Sequence, residues 1–242
     1  FTGYYTPVLN ASRTATPTYR YHSYGLPDGA RLTAQGTVAF PGVDRRTIEQ
    51  NAMLTGRELF YLADPFETYI IQIQGSGMLR LTDGATVHVG FAGTNGMEYR
   101  SIRDAMIRDA VIGKTDGLPA MMAYFKANPE RVSHYTHMNP RYVFLAETPG
   151  VPRGSLNEPV TPLRTIATDK SVFPRGSLAI VNLPHSDQRS IAWQQAMLDQ
   201  DSGGAIRAAG RCDIYMGVGP EAGQQAGQLV EDGRLYYLFL KR

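Results

Sequence analysis

The sequence predicts a mainly β protein, with a small barrel at its C-terminal end and a second β-rich domain, carrying some short helices, before it. Three observations lead there. Strand-like segments follow one another closely over 163–167, 177–183, 190–198, 211–216 and 234–240. With no helical segment read between them, five or six short strands fit a barrel better than alternating β and α units. The stretch 148–162 holds four prolines and two glycines and is the best boundary in the chain. Upstream of it, 79–81, the Asp83-Gly84 turn and 86–91 carry a clear hairpin pattern.

Taken in order, FTGYYTPVL opens with strand-like alternation and ends at Pro7. In a strand, Thr2, Tyr4 and Thr6 share one face and Phe1, Gly3 and Tyr5 the other. Residues 10–43 are punctuated by proline and glycine and read as short strands. Thr47 with Gln50 forms a capping box that opens a short helix, TIEQNAML. Residues 58–62 read as a strand, and YIIQIQGSGMLR over 69–80 reads as another, broken at Gly75-Ser76-Gly77. Gly93-Thr94-Asn95-Gly96 is a loop, and Ser101 with Asp104 caps the helix SIRDAMIRDAVI. Helices follow over 118–127 and 129–136, the second with proline in its first turn, and RYVFLAE is a strand.

Lys and Arg number 24 against 22 Asp and Glu, a net charge of +2 that points to neither a nucleic-acid surface nor a polybasic membrane anchor. The one cysteine, Cys212, excludes an intrachain disulfide and reads as a small buried hydrophobe. No apolar run reaches the ~18 residues that span a bilayer. The chain starts at Phe1 without an initiator methionine, so we expect a trimmed or processed chain whose export signal or lipid anchor lay upstream.

Among the five histidines only His134 and His137 stand close in sequence, with no third ligand at metal spacing. No phosphate-binding loop, dinucleotide fingerprint or G-x-S-x-G elbow occurs, and the glycine loop over 217–223 has no long helix after it to make one. Carboxylate chemistry remains. Asp169, Asp201 and Asp213 fall at strand ends, and DSGGAIRAAGRCDIYMGVGPEAG places two of them beside glycine-rich turns. With Cys212 and Ile214 in the core, Asp213 faces out with Arg211 and Tyr215. A carboxyl working as a general acid near neutral pH needs a raised pKa, from burial or from a second carboxylate such as Asp201. Arg211 acts in the opposite direction if it lies close. Asp169 reads as a turn former.

Four motifs then carry a resemblance: FTGYYTP, QIQGSG, GTNG with Tyr99-Arg100-Ser101-Ile102, and DSGGAIR…CDIYMGVGPEAG. Their order and spacing resemble those of the membrane-bound lytic transglycosylase A family over nearly the whole chain. The chain departs where the family has Lys for Arg207, Gly for Ala208 and an aromatic-Trp-Gly for Tyr215-Met216-Gly217. The family also has a segment before its FTGYY-type motif.

The resemblance implies a double-psi β-barrel formed by 148–242 and completed by a strand within 1–10, with 11–147 as an inserted β-rich domain and the glycan in the groove between them. It implies non-hydrolytic cleavage of the β-1,4 bond from N-acetylmuramic acid to N-acetylglucosamine in peptidoglycan, leaving 1,6-anhydromuramyl ends. Asp213 is then the acid and base, supported by Asp201. Thr2, Tyr4 and Thr6 lie near the cleavage point, Gln74, Gly75, Ser76, Gly77, Asn95 and Tyr99 line the far side, and Arg207 is a further glycan contact. No cofactor, metal or nucleic acid is expected. A monomer on the periplasmic side of the bacterial outer membrane is. Two other readings stay open: a glycoside hydrolase using Asp201 and Asp213 as a pair, and a non-catalytic wall-binding module.

Overall fold

The computed structural model describes residues 1–33, 36–184 and 193–241. It is mainly β, with one six-stranded and one eight-stranded sheet. Two compact units form, one from Phe1–Thr6 with Val151–Arg242 and the other from Pro7–Gly150.

The first unit contains β1 (Thr2–Thr6), and the second contains β2 (Val8–Ser12), β3 (Tyr21–Tyr24), β4 (Arg31–Thr33), β5 (Gly36–Val38), β6 (Glu58–Leu62), β7 (Ser76–Leu81), β8 (Thr86–Thr94) and β9 (Val143–Thr148). The second also holds α1 (Arg45–Gln50), α2 (Pro65–Gln74), α3 (Ile102–Arg108), α4 (Leu118–Ala127) and α5 (Val132–Thr136). The chain then returns to the first unit with β10 (Thr165–Thr168), β11 (Leu178–Leu183), β12 (Trp193–Asp201), β13 (Cys212–Val218), α6 (Pro220–Gln228) and β14 (Arg234–Tyr237). The strand read over 190–198 is β12 from Trp193 on; its first three positions lie outside the described residues.

In the first unit the strand order is β1-β13-β10-β12-β11-β14. The β1–β13 and β10–β12 pairs are parallel. Residues between α6 and β14 close the sheet on itself: Thr2 bridges Val230, and the Glu231 amide donates to the Phe1 carbonyl at 3.0 Å. Alternation along each strand sends Ile166, Val181, Met197, Cys212 and Ile214 into one apolar core. This arrangement is consistent with a double-psi barrel.

The expectation of nearly all strand at this end, with no helix read, is corrected by α6, which follows β13 directly. Pro220 occupies its first turn after Gly219, whose φ of 89° favours glycine. Its only buried residues are Ala222 and Ala226, one turn apart, so it offers no stripe of large apolar side chains to read. The small residues serve close packing, because a Cβ on Gly3 would stand 2.7 Å from the Cα of Ala226. The helix thereby seats β1 against the barrel.

In the second unit the order is β3-β6-β2-β7-β8-β5-β4, with β9 on β8. Leu9, Phe60, Leu62, Ile71, Leu79, Val89 and Leu145 fill its core, and α2 to α5 enclose a second cluster around Phe66, Met106, Phe125 and Tyr135. Two expectations are corrected here. Residues 69–74 belong to α2, not to a strand. Asp64 caps that helix by accepting from the Phe66 amide at 2.7 Å, Pro65 starts it, and Gly75 ends it at φ 72°. The β-branched and aromatic residues that mimic a strand are buried helix positions. In α1 the cap is Asp44, whose carboxylate accepts from the Thr47 amide at 2.8 Å; Thr47 is the capped residue, not the cap. Ser101 caps α3 as expected, accepting from the Asp104 amide.

Candidate active site

The register of the first unit aligns four residues across neighbouring strands. Thr2 on β1 lies opposite Asp213 on β13, Asp213 opposite Ala167 on β10, and Ala167 opposite Asp201 on β12. Residues directly opposite in a sheet share a face. The two carboxylates therefore stand on one surface, two strand spacings or about 10 Å apart across the sheet, with Ala167 on the strand between them.

Side chains close this row. The Thr2 hydroxyl donates to Asp213 Oδ1 at 2.7 Å, and the Tyr4 hydroxyl donates to Asp201 Oδ2 at 2.8 Å. Asp201 Oδ1 also accepts the amides of Ser155 and Ser202, each at 2.8 Å. Every contact of Asp201 is thus a donor, and its carboxylate is fixed in place. Asp213 differs: its Oδ2 has no hydrogen-bond partner among the described residues.

Electrostatics separate the two further. Burial pushes the Asp213 carboxyl up to about 6. The hydrogen bond from Thr2 and the charge of Arg211 oppose this, while Asp201 adds to it. Asp201 is also raised, by burial, against the pull of its amide donors and Tyr4. Tyr4 is held well above its ordinary value, by burial first and then by Asp201, so it remains a donor. We predict that Thr2→Val, which removes the hydrogen bond favouring the ionised form, raises the Asp213 titration by roughly one pH unit. Carbon-13 NMR of labelled aspartate checks this; an unchanged or lower midpoint contradicts it.

Not every expected residue stands at this site. Thr6 is fully buried, its hydroxyl 2.9 Å from that of Tyr215. It braces β1 against β13 and has no surface for a ligand. Asn95 is likewise corrected. It is fully buried, donates to the carbonyls of Val43 and Pro140, and accepts the Tyr142 amide, so its capacity is spent tying three backbone segments together. Gly75 ends α2, and a Cβ on Gly77 would lie 2.4 Å from Ile71 Cδ1. Helix termination and close packing thus give a backbone reason for both glycines. Ser76 is buried, whereas Gln74 and Tyr99 are half-exposed on the second unit.

Arg207 is exposed, its guanidinium 4.0 Å from Asp169. Asp169 itself accepts the Ser171 amide and hydroxyl and the Ala208 amide, which hold its carboxyl down at about 2. It is a turn former, as its position suggested.

Sequence reasoning missed Asp199, which is fully buried beside Lys170. The hydroxyls of Thr168 and Tyr237 donate to its Oδ2 at 2.7 and 2.6 Å. Its place two residues before Asp201 was the available signal. Tyr215, read as facing out with Asp213, is buried instead, its ring 5.2 Å from that of Tyr4.

The comparisons with known proteins come from both units. The model of the MltA specific insert domain matches residues 1–146, and that of the 3D domain matches 164–239. The membrane-bound lytic murein transglycosylase A of Escherichia coli K12 is 30% identical over 247 residues, covering 98% of this chain and 65% of its own length. That of Vibrio cholerae is 29% identical, covering 100% of this chain and again 65% of its own. The chain therefore spans just under two thirds of these relatives. Among solved structures, E. coli MltA with bound chitohexaose has a TM-score of 0.85 at 29% identity, over 98% of this chain and 71% of that one. The lytic transglycosylase LtgG of Burkholderia pseudomallei has a TM-score of 0.67 at 35% identity, over 98% and 71%. By the match over more than half its length, the chain belongs to the MltA family.

Proposed function

We propose that this protein is a peptidoglycan lytic transglycosylase that cleaves the bond from N-acetylmuramic acid to N-acetylglucosamine without water, with Asp213 as acid and then base. The observation that carries the reading is the contrast between the two aspartates. Asp213 has one oxygen held by Thr2 and the other without a hydrogen-bond partner among the described residues, and a carboxyl raised to about 6, so both its forms are populated near neutral pH. As the acid it protonates the leaving glycosidic oxygen. As the resulting carboxylate it takes the proton of the C6 hydroxyl, whose oxygen attacks C1 and closes the 1,6-anhydro ring. The nucleophile belongs to the same sugar and is already positioned, so no second catalytic carboxylate is required.

Asp201, bound by three donors, supports rather than shares the chemistry. A hydrolase would need it free to activate water or form a glycosyl bond. Thr2 orients Asp213, and Tyr4 positions Asp201. Gln74, Tyr99 and Arg207 are proposed glycan contacts, on the strength of their exposed or half-exposed side chains. The name of the relatives supports a place at the cell envelope, and we propose the periplasmic side of the outer membrane, with a monomer anchored through upstream sequence. Among the described residues no helix is long and apolar enough to cross a membrane.

Digestion of purified peptidoglycan followed by mass spectrometry tests the proposal. Anhydromuramyl ends are expected. Reducing ends would establish the hydrolase reading instead, and glycan bound without product would leave a wall-binding module.

A further inference from the structure

Arg211 is not accounted for by the chemistry above, and at first sight it opposes it. The residue immediately precedes β13, and its Nη2 lies 3.4 Å from the Thr2 hydroxyl oxygen, the same hydroxyl that donates its proton to Asp213. Its charge pulls the Asp213 carboxyl down, against the protonated form that the first step needs. Among the described residues no carboxylate stands within ion-pair distance of it. A half-buried guanidinium with one long contact has most of its five N–H donors unspent. Those donors are open to a further partner beside the working acid.

Such a partner can arrive with the substrate. We propose that Arg211 is a specificity-determining residue that receives a carboxylate carried on the muramyl side of the scissile bond. This rests on the peptidoglycan reading above and extends it to the charge of the substrate. Muramic acid differs from glucosamine by a lactyl ether ending in a carboxyl group. In stripped glycan that carboxyl is free; in glycan bearing stem peptides it is an amide, and the carboxylates belong to the peptide. Either source presents the planar, two-oxygen acceptor that a guanidinium fork matches. Its arrival also neutralises the charge that depresses Asp213. Binding a charged substrate thereby favours the protonated acid, whereas an uncharged glycan leaves it as it was.

The test uses Arg211→Met, which keeps the aliphatic stem, and Arg211→Lys, which keeps the charge without the fork. Binding is measured by calorimetry to an uncharged N-acetylglucosamine hexamer, to stripped alternating glycan with free lactyl carboxylates, to the same glycan with those carboxyls converted to methylamides, and to peptide-bearing glycan. The native protein is expected to favour one carboxylate-bearing ligand over the methylamide by about tenfold or more. Arg211→Met is expected to abolish that preference while binding the uncharged hexamer within about twofold of native, and Arg211→Lys to retain part of it. Preference for stripped glycan assigns the lactyl carboxylate, and preference for peptide-bearing glycan assigns the stem peptide. An equal loss on all four ligands, or no change on any, overturns the proposal. Calorimetry requires no turnover, so a native protein that discriminates by charge yet releases no anhydro product refutes the proposed reaction and leaves this inference standing.

Discussion

Asp213→Asn is expected to lower peptidoglycan release by about a thousandfold or more while making the folded protein more stable at neutral pH. The asparagine amide oxygen still accepts from Thr2, so the local geometry persists. What is lost is the transferable proton and the carboxylate that follows it. The stability effect has the opposite sign because the native state holds this group as a strained anion. Its carboxyl is raised from 3.8 to about 6, so between those values the folded protein binds more protons than the unfolded one. Stability from this group is complete below the unfolded pKa and is lost as pH rises through the folded one. Above about pH 6 the ionised, largely buried carboxylate costs roughly 1 to 2 kcal/mol after allowance for its partial exposure, and the amide does not pay it. Urea melts at pH 7.5 and pH 4 check this: the variant gains at the higher pH and the gain disappears at the lower. A variant equally active, or destabilised at both, contradicts the assignment.

The second large effect lies in the other unit. Arg45, on α1, is 2% exposed and donates to Gln72 Oε1 at 2.5 Å, to the Arg141 carbonyl at 3.0 Å and to Glu49 Oε1 at 3.0 Å. Its guanidinium lies 4.9 and 4.8 Å from the ring centres of Tyr69 and Tyr142. Glu49 is also 2.8 Å from the ring nitrogen Nε2 of His137. Burial works to raise the Glu49 carboxyl, but His137 and Arg45 outweigh it and the net direction is down. One cation thus joins α1, α2 and the segment that leads into β9. Arg45→Ala removes it and leaves buried acceptors without donors, an expected loss of about 3 to 5 kcal/mol in thermal or urea unfolding. Arg45→Met restores the volume and is expected to lose less. A loss below about 1 kcal/mol for the alanine variant would mean that water or rearrangement replaces the network.

The parts of this fold legible in the sequence are those where local chemistry and tertiary placement agree. Ser101 caps its helix, the Asp83-Gly84 turn joins β7 to β8, and Cys212 and Ile214 enter the core while Asp213 faces the site. The failures have a common cause in burial. YIIQIQ looks like a strand because four consecutive residues of that helix, Tyr69 to Gln72, are buried, and α6 is nearly silent because close packing on Gly3 demands alanines there. Asn95 and Thr6 carry the right chemistry for a ligand, yet both are spent inside the protein. The site divides in the same way. The row from Thr2 to Asp201 depends on strand register, which alternation along one strand cannot supply. Neither can it reveal that Arg211 reaches the Thr2 hydroxyl.

Digesting peptidoglycan in oxygen-labelled water separates one carboxyl acting as acid and then base, with an oxygen of the sugar itself as nucleophile, from attack by water. Anhydromuramyl products that carry no label at C1 are expected. Label at C1 of newly formed ends would show that water attacks and would overturn the acid-then-base role of Asp213.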